Sequence, residues 1–286
     1  MSDQAERLRM LARQIAQGRP ATRGRVVTIT SGKGGVGKSS LAVNLALAMQ
    51  QMGRRVMLFD ADLGLANVDV LLGLSPAEGL VDVLRRGADL ERCLVDGPLG
   101  LKVVAGGSGF YELANPSEPE LERLLRQIAR LDSMFDVLII DTGAGISRTV
   151  LSFVLSSLET ILVTTPEPTA ITDAYGMAKV IFSRRPEGRV HLVVNQARNG
   201  AEAREVAERL NMVSQRFLNH ELKLLGYLPF DQRVRDAVQA QVPFVLSQPH
   251  ARVSRMVMAM AEEILGERSS PMGFTGLLER MAGVFR

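Results

Sequence analysis

The chain has 286 residues, 46% hydrophobic and 23% charged, with a formal net charge of +3, which is the make-up of a soluble globular protein with a substantial core. A single cysteine, Cys93, excludes an intrachain disulfide and a cysteine-only metal cluster. There is no apolar run long enough to span a membrane and the N-terminus is charged where a signal peptide would be apolar, so the expected location is the cytosol; the modest charge fits either DNA or an anionic membrane surface and argues for neither.

Residues 2–17 place Leu8, Leu11, Ala12 and Ile15 at helical spacing, with Ser2 or Asp3 available as a cap. Gly18, Arg19 and Pro20 then break the pattern, which sets residues 1–22 apart as an arm. The spacing alone leaves three readings open, a partner-binding helix, a loose or core-packed terminus and, third, a basic arm on nucleic acid.

The next stretch, VVTITSGKGGVGKSS from Val26 to Ser40, passes from a β-branched run into glycines, lysines and serines: strand, loop, helix. Gly32, Gly37, Lys38 and Ser39 satisfy GxxxxGK[ST] in the context the motif needs. Glycines let successive N–H groups of Gly32, Lys33, Gly34, Gly35, Val36 and Gly37 close around phosphate at a helix start, where the N–H groups of Lys38, Ser39 and Ser40 also point. Lys38 is then the residue for the β- and γ-phosphates, and the Ser39 hydroxyl a Mg²⁺ ligand.

A helix follows to Gly53, then a strand, RVMLFD, ending on Asp60 and Asp62. Carboxylates at the C-terminal ends of parallel strands face one crevice, which suits Asp60 to the magnesium shell and Asp62 to orienting or deprotonating the attacking water. Residues 75–117 carry glycines, prolines and short apolar runs, read as short helices and one strand. Leucine spacing predicts a helix over 118–131. FDVLIIDTGAG then repeats the strand-to-glycine pattern, with Asp141 placed to hold Mg²⁺ through water and Thr142 to Gly145 as a switch segment.

Strands and helices continue to alternate through ETILVTTPEP, a helix over 170–183, RVHLVVNQA, a further helix and KLLGYLPFD. The alternation predicts a doubly wound α/β fold with a mostly parallel sheet flanked by helices over residues 23–266. His191, His220 and His250 lack ligand spacing and read as structural. After a linker, residues 274–286 put Phe274, Leu277, Leu278, Met281 and Phe285 on one helical face. Phenylalanine, leucine and methionine beside arginine suit a membrane interface, so residues 267–286 read as a linker and amphipathic membrane-targeting helix, against the alternative of a last helix packed on the sheet.

Lys33, the second lysine in KGGVGK, makes the loop resemble the deviant Walker A motif of MinD/ParA ATPases. That resemblance implies an ATP-sandwiched homodimer in which Lys33 reaches the partner's phosphates. It implies that LGLANVDVLLG, with Asn67 and Asp69, is a switch, and that adenine is held near Asn195, Pro229 and Asp231. Gly143 stands where MinD has proline, which moves the match away from MinD itself. FDADLGLANVDVLLG and IIDTGAGI, together with DQAERLR at Asp3 to Arg9, resemble the FlhG family, also called FleN or YlxH, MinD-like ATPases that control flagellar number and placement. In that family the DQAxxLR element, here Asp3, Gln4, Ala5, Leu8 and Arg9, stimulates the GTPase of FlhF, a signal-recognition-particle-type protein. The resemblance therefore implies ATP and Mg²⁺ as ligands, slow ATP hydrolysis without a partner, flagellar switch or C-ring proteins as further partners, and a membrane surface reached reversibly by a short tail like MinD's; nucleic acid is not expected. The competing readings are a MinD- or ParA-type ATPase for division-site placement or DNA partition, which for DNA would need a basic dimer surface, and a binding module with negligible turnover.

Overall fold

The computed structural model describes residues 24–62, 64, 66–106, 118–131 and 134–267. Asp3 to Arg9 of the expected arm and the face from Phe274 to Phe285 lie outside the described residues. The strands are β1 (Arg25–Ser31), β2 (Val56–Ala61), β3 (Leu94–Asp96), β4 (Lys102–Val104), β5 (Val137–Ala144), β6 (Glu159–Thr164), β7 (Arg189–Ala197) and β8 (Lys223–Pro229). The helices are α1 (Lys38–Gln51), α2 (Val68–Leu72), α3 (Glu118–Arg130), α4 (Arg148–Ser156), α5 (Pro168–Arg184), α6 (Gly200–Leu218), α7 (Gln232–Gln239), α8 (Phe244–Ser247) and α9 (Arg252–Gly266). Among the described residues no helix is long and apolar enough to cross a membrane.

The strands form one sheet in the order β3-β4-β2-β5-β1-β6-β7-β8. All pairings are parallel except β3 with β4. The central strands β1, β2 and β6 are buried at every position, as continuous apolar runs require when both faces of a sheet are covered. α1 is buried all round from Leu41 to Met49, because it lies between the sheet and α9. Leu45, Ile29, Val257 and Ile264 share that core. On the opposite face α3 sets Leu124 and Ile128 on Phe59 and Leu138. There α5 and α6 close Met177, Ile181 and Leu210 over Leu192.

Of residues 75–117, where the sequence suggests one strand, the described part, 75–106, contains two short ones. β3 and β4 are three-residue strands at the sheet edge, joined through Gly97-Pro98-Leu99-Gly100, with Leu99 at φ 58°. Strands that short, with β3 half-exposed, carry little periodicity, so the antiparallel pairing is set by the turn. Every parallel strand runs the same way, so one end of the sheet collects the phosphate loop and the strand-end acids, and the other end collects the strand starts.

Candidate functional site: a phosphate cradle with two buried carboxylates

β1 ends at Ser31 and α1 starts at Lys38, with Gly35 at φ 78° and Gly37 at φ 88° in the loop between. Gly37 is the N-cap of α1 and no side chain caps it, so the first N–H groups of the helix stay available to an anion. Glycine is required here twice over. At Gly37 a Cβ would stand 2.2 Å from Asn195 Nδ2, in addition to the positive φ. At Gly32 it would stand 2.3 Å from the backbone of Asp173 on α5, so this glycine is fixed by helix packing as well as by its place in the loop. The loop opens on a cleft of about 1050 Å³, lined by Gly34 to Ser40 with Asp62, Asn67, Gly143 and Thr149. That is ample for a nucleotide.

Behind the residues that line the cleft, Asp60 on β2 and Asp141 on β5 are register partners, both buried. Lys38 Nζ donates to Asp141 Oδ1 at 3.0 Å and to Ser39 Oγ at 3.2 Å, with Lys38 itself only 8% exposed. Asp60 accepts from the backbone N–H groups of Asp62, Asn67 and Val68 at 3.0, 3.0 and 3.1 Å, which ties the start of α2 to the strand end. Burial, then the neighbouring Asp141 charge, push the Asp60 carboxyl up to about 7, against those three hydrogen bonds. Burial also raises Asp141, in spite of Lys38 and Ser39. Asp62 lies at the cleft wall, its Oδ1 3.4 Å from where a Cβ on Gly143 would be.

Lys33 does not enter its own cleft. Its Nζ donates to Glu167 Oε1 at 2.5 Å and to Thr169 Oγ1 at 2.8 Å, at the start of α5. Neither partner carries a sequence signal, because each is more than a hundred residues from the loop. Asn195 is brought to the loop as well: Nδ2 donates to Val36 O at 2.7 Å, and Oδ1 accepts from Gln196 N at 2.8 Å, with Gln196 at φ 57°. Its amide thus braces the phosphate loop. Pro229 ends β8 beside Ala197 of β7. Asp231 caps α7 and accepts from Arg233 N, Nε and Nη2 at 3.0, 2.9 and 2.7 Å. Asn67 stands at the N-cap position of α2, without a side-chain cap bond, and lines the cleft, while Asp69 accepts from the adjacent Val70 N–H.

Residues 27–244 match the CobQ/CobB/MinD/ParA nucleotide binding domain. The chain is 41% identical to the antiactivator FleN of Pseudomonas aeruginosa over 239 residues, covering 84% of this chain and 85% of that one. It belongs to the FlhG (FleN/YlxH) branch of the MinD/ParA family. YlxH of Helicobacter pylori, named as a flagellum site-determining protein, is 38% identical and covers 70% of this chain and 68% of its own. Among solved structures, MinD of Pyrococcus horikoshii in complex with Mg-ADP superposes with a TM-score of 0.69 at 28% identity, covering 84% of this chain and 96% of that one. Family and fold together make this chain a nucleotide-binding positioning ATPase of the MinD/ParA type. The donor set fits magnesium with a nucleotide: a serine hydroxyl and two carboxylates are hard oxygen donors, and the glycine cradle leaves room that side chains would fill.

Proposed function

We propose that this protein is an ATP-driven switch in which nucleotide binds two copies of the chain together, and the closed dimer regulates flagellar number and placement. The observation that supports it is Lys33. A lysine inside a phosphate loop that turns away from its own cleft, onto an exposed glutamate, is available to another chain's phosphates once that glutamate lets go. Exposed apolar residues at the same end of the sheet, Val70 and Ile146 at 51% and 58%, are of the kind that two copies would cover.

Within each copy, the N–H groups of Gly34 to Ser40 hold the phosphates and Lys38 exchanges Asp141 for phosphate oxygen. Asp62 orients the attacking water and takes its proton. Ser39, with Asp60 and Asp141 acting through water, would hold Mg²⁺, which supplies charge neutralisation to the phosphates. Asp141, paired with Lys38 in the structure, would have Mg²⁺ as its cation when Lys38 is on phosphate, so the buried carboxylate would not be left unpaired. Asn195, already on the Val36 carbonyl, and Pro229 lie at the ends of neighbouring strands, where the resemblance puts adenine.

The appendages supply the outputs: the arm at residues 1–22 stimulates the FlhF GTPase, and the tail at 267–286 binds the inner face of the cell membrane. Each tail helix is a weak anchor, so pairing the chains gives avidity that a monomer lacks. The protein therefore alternates between cytosol and membrane, and flagellar switch proteins are further partners. The deciding experiment is size-exclusion chromatography with a non-hydrolysable ATP analogue. The native chain should run as a dimer and Lys33→Gln as a monomer that still binds the analogue; a Lys33→Gln dimer of normal strength would overturn the cross-dimer role.

A further inference from the structure

At the end of the sheet away from the cleft, Arg25 is only 5% exposed and grips Glu159 with two hydrogen bonds, Nε to Oε2 at 2.6 Å and Nη2 to Oε1 at 2.8 Å. Its third nitrogen, Nη1, donates to the carbonyls of Ile264 and Glu267, the latter at 3.2 Å. Arg25 at the start of β1 thus supplies the donors that the last turn of α9 lacks. His191 Nε2 stands 3.2 Å from Glu159 Oε1 and 3.7 Å from Glu267 Oε2. Lys223 closes the network, with Nζ 2.5 Å from Glu267 Oε1 and 2.7 Å from Glu263 Oε1.

Glu159, His191 and Glu267 offer three ligand atoms close together, but the cluster is not a cation cage. Arg25 already takes both oxygens of Glu159, and Lys223 takes Glu267, so an added cation would meet two fixed positive charges. Nor is a buried ion network needed merely to glue a helix down, since apolar packing does so as well. What a bidentate, hydrogen-bonded pair adds is one defined position of the helix end.

The strands that build this network are the strands that build the nucleotide site. β1 begins at Arg25 and runs into the phosphate loop. β6 begins at Glu159 and leads to Glu167, the partner of Lys33. β7 carries His191 near one end and Asn195, which braces the loop, near the other. β8 starts at Lys223 and ends at Pro229. The helix that starts at the phosphate loop, α1, packs along α9, and Asn44 Oδ1 accepts from Val245 N, just ahead of it.

We propose that the Arg25–Glu159–His191–Glu267 network is a latch on the last turn of α9, set by nucleotide through β1, β6, β7 and β8, which governs how firmly the α9 terminus is held at the base of the sheet. The inference deepens the switch reading and rests on it. Its element with two arrangements is the α9 terminus, capped by Arg25 or frayed.

Hydrogen exchange on the full chain tests it, with binding of a fluorescent ATP analogue measured alongside. In the native protein the amides of residues 264–267 should exchange at rates differing about threefold or more between the nucleotide-free and the Mg-ATP-analogue states. Arg25→Met should exchange fast in both states, abolishing the difference while analogue binding persists. Should Arg25→Met fail to fold, Glu267→Gln cuts the network at its solvent-exposed rim and carries the same expectation at smaller size. Exchange at 264–267 that ignores nucleotide in a chain that binds it, or a nucleotide-dependent difference preserved in both variants, would overturn the latch. A native chain that fails to bind the analogue would overturn the ATPase reading instead, and the coupling with it.

Discussion

The two ends of the sheet bury carboxylates equally well and treat them in opposite ways. At the cleft, Asp60 and Asp141 face each other across β2 and β5, and burial raises both, Asp60 to about 7. At the base, Glu159 is also buried, which by itself would raise it, but hydrogen bonds from His191 and Arg25 outweigh that and hold its carboxyl below the ordinary range. The difference lies in the partners. Two acids with one lysine leave negative charge short of cations, and a site left short is one that a divalent cation would complete. At the base three acids, Glu159, Glu263 and Glu267, share the cations Arg25 and Lys223, with His191 beside them, and such a site fixes position. The candidate nucleotide site is at the end where the fold leaves electrostatics incomplete, and the latch at the end where charges are paired.

The largest effect should come from removing Asp62, the cleft acid proposed to act on water. Asp62→Ala is expected to lower ATP turnover about 10²-fold or more, the usual contribution of a positioned general base, with analogue binding and dimerisation retained. Single-turnover hydrolysis beside chromatography measures both; unchanged turnover would move the catalytic role to another group.

At the base the test is acid stability. Glu159 is depressed below its ordinary 4.5, so its stabilisation is present above that pH and is lost as pH falls through the still lower folded value. Glu159→Gln removes one partner of a buried pair and should cost about 3 kcal/mol near neutral pH. It should also flatten the acid limb below pH 4.5, where the native chain loses stability. Urea unfolding at neutral and acid pH reads both, and equal losses at the two pH values would show that the ion pair is not the source.

The smallest effect concerns the exposed ion pair at the rim of the cleft. Glu167 and Lys33 are both substantially exposed, at 54% and 34% of their side chains, so the bond between them is screened by water. Glu167→Gln frees Lys33 and should favour the ATP-analogue dimer by no more than a few-fold, measured by analytical ultracentrifugation. A weakened dimer would mean that Glu167 works across the interface rather than as a resting place for Lys33.

Much of this was legible in residue order, because it depends on local physics. The apolar runs of β1, β5 and β7 and the glycines of the phosphate loop define strand, turn and helix within a dozen residues. Asp60, Asp62 and Asp141 follow from strand ends alone, since parallel strands must deliver their C-termini to one edge. The hairpin of β3 and β4 was not legible, being too short for a period to show. The bond between Asp231 and Arg233, two residues on, was not legible either, since the resemblance offers Asp231 only as a residue near adenine.

What sequence by itself determined is therefore the α/β architecture, the phosphate loop and the family, all written in neighbours along the chain. Only the tertiary structure decided the partners of charged groups: Lys33 with Glu167, Asn195 with the Val36 carbonyl, and Arg25 with Glu159 and the end of α9. Those contacts join residues more than a hundred positions apart. An ion pair leaves no periodicity in sequence, and one lysine or glutamate reads like another until folding removes the water between them.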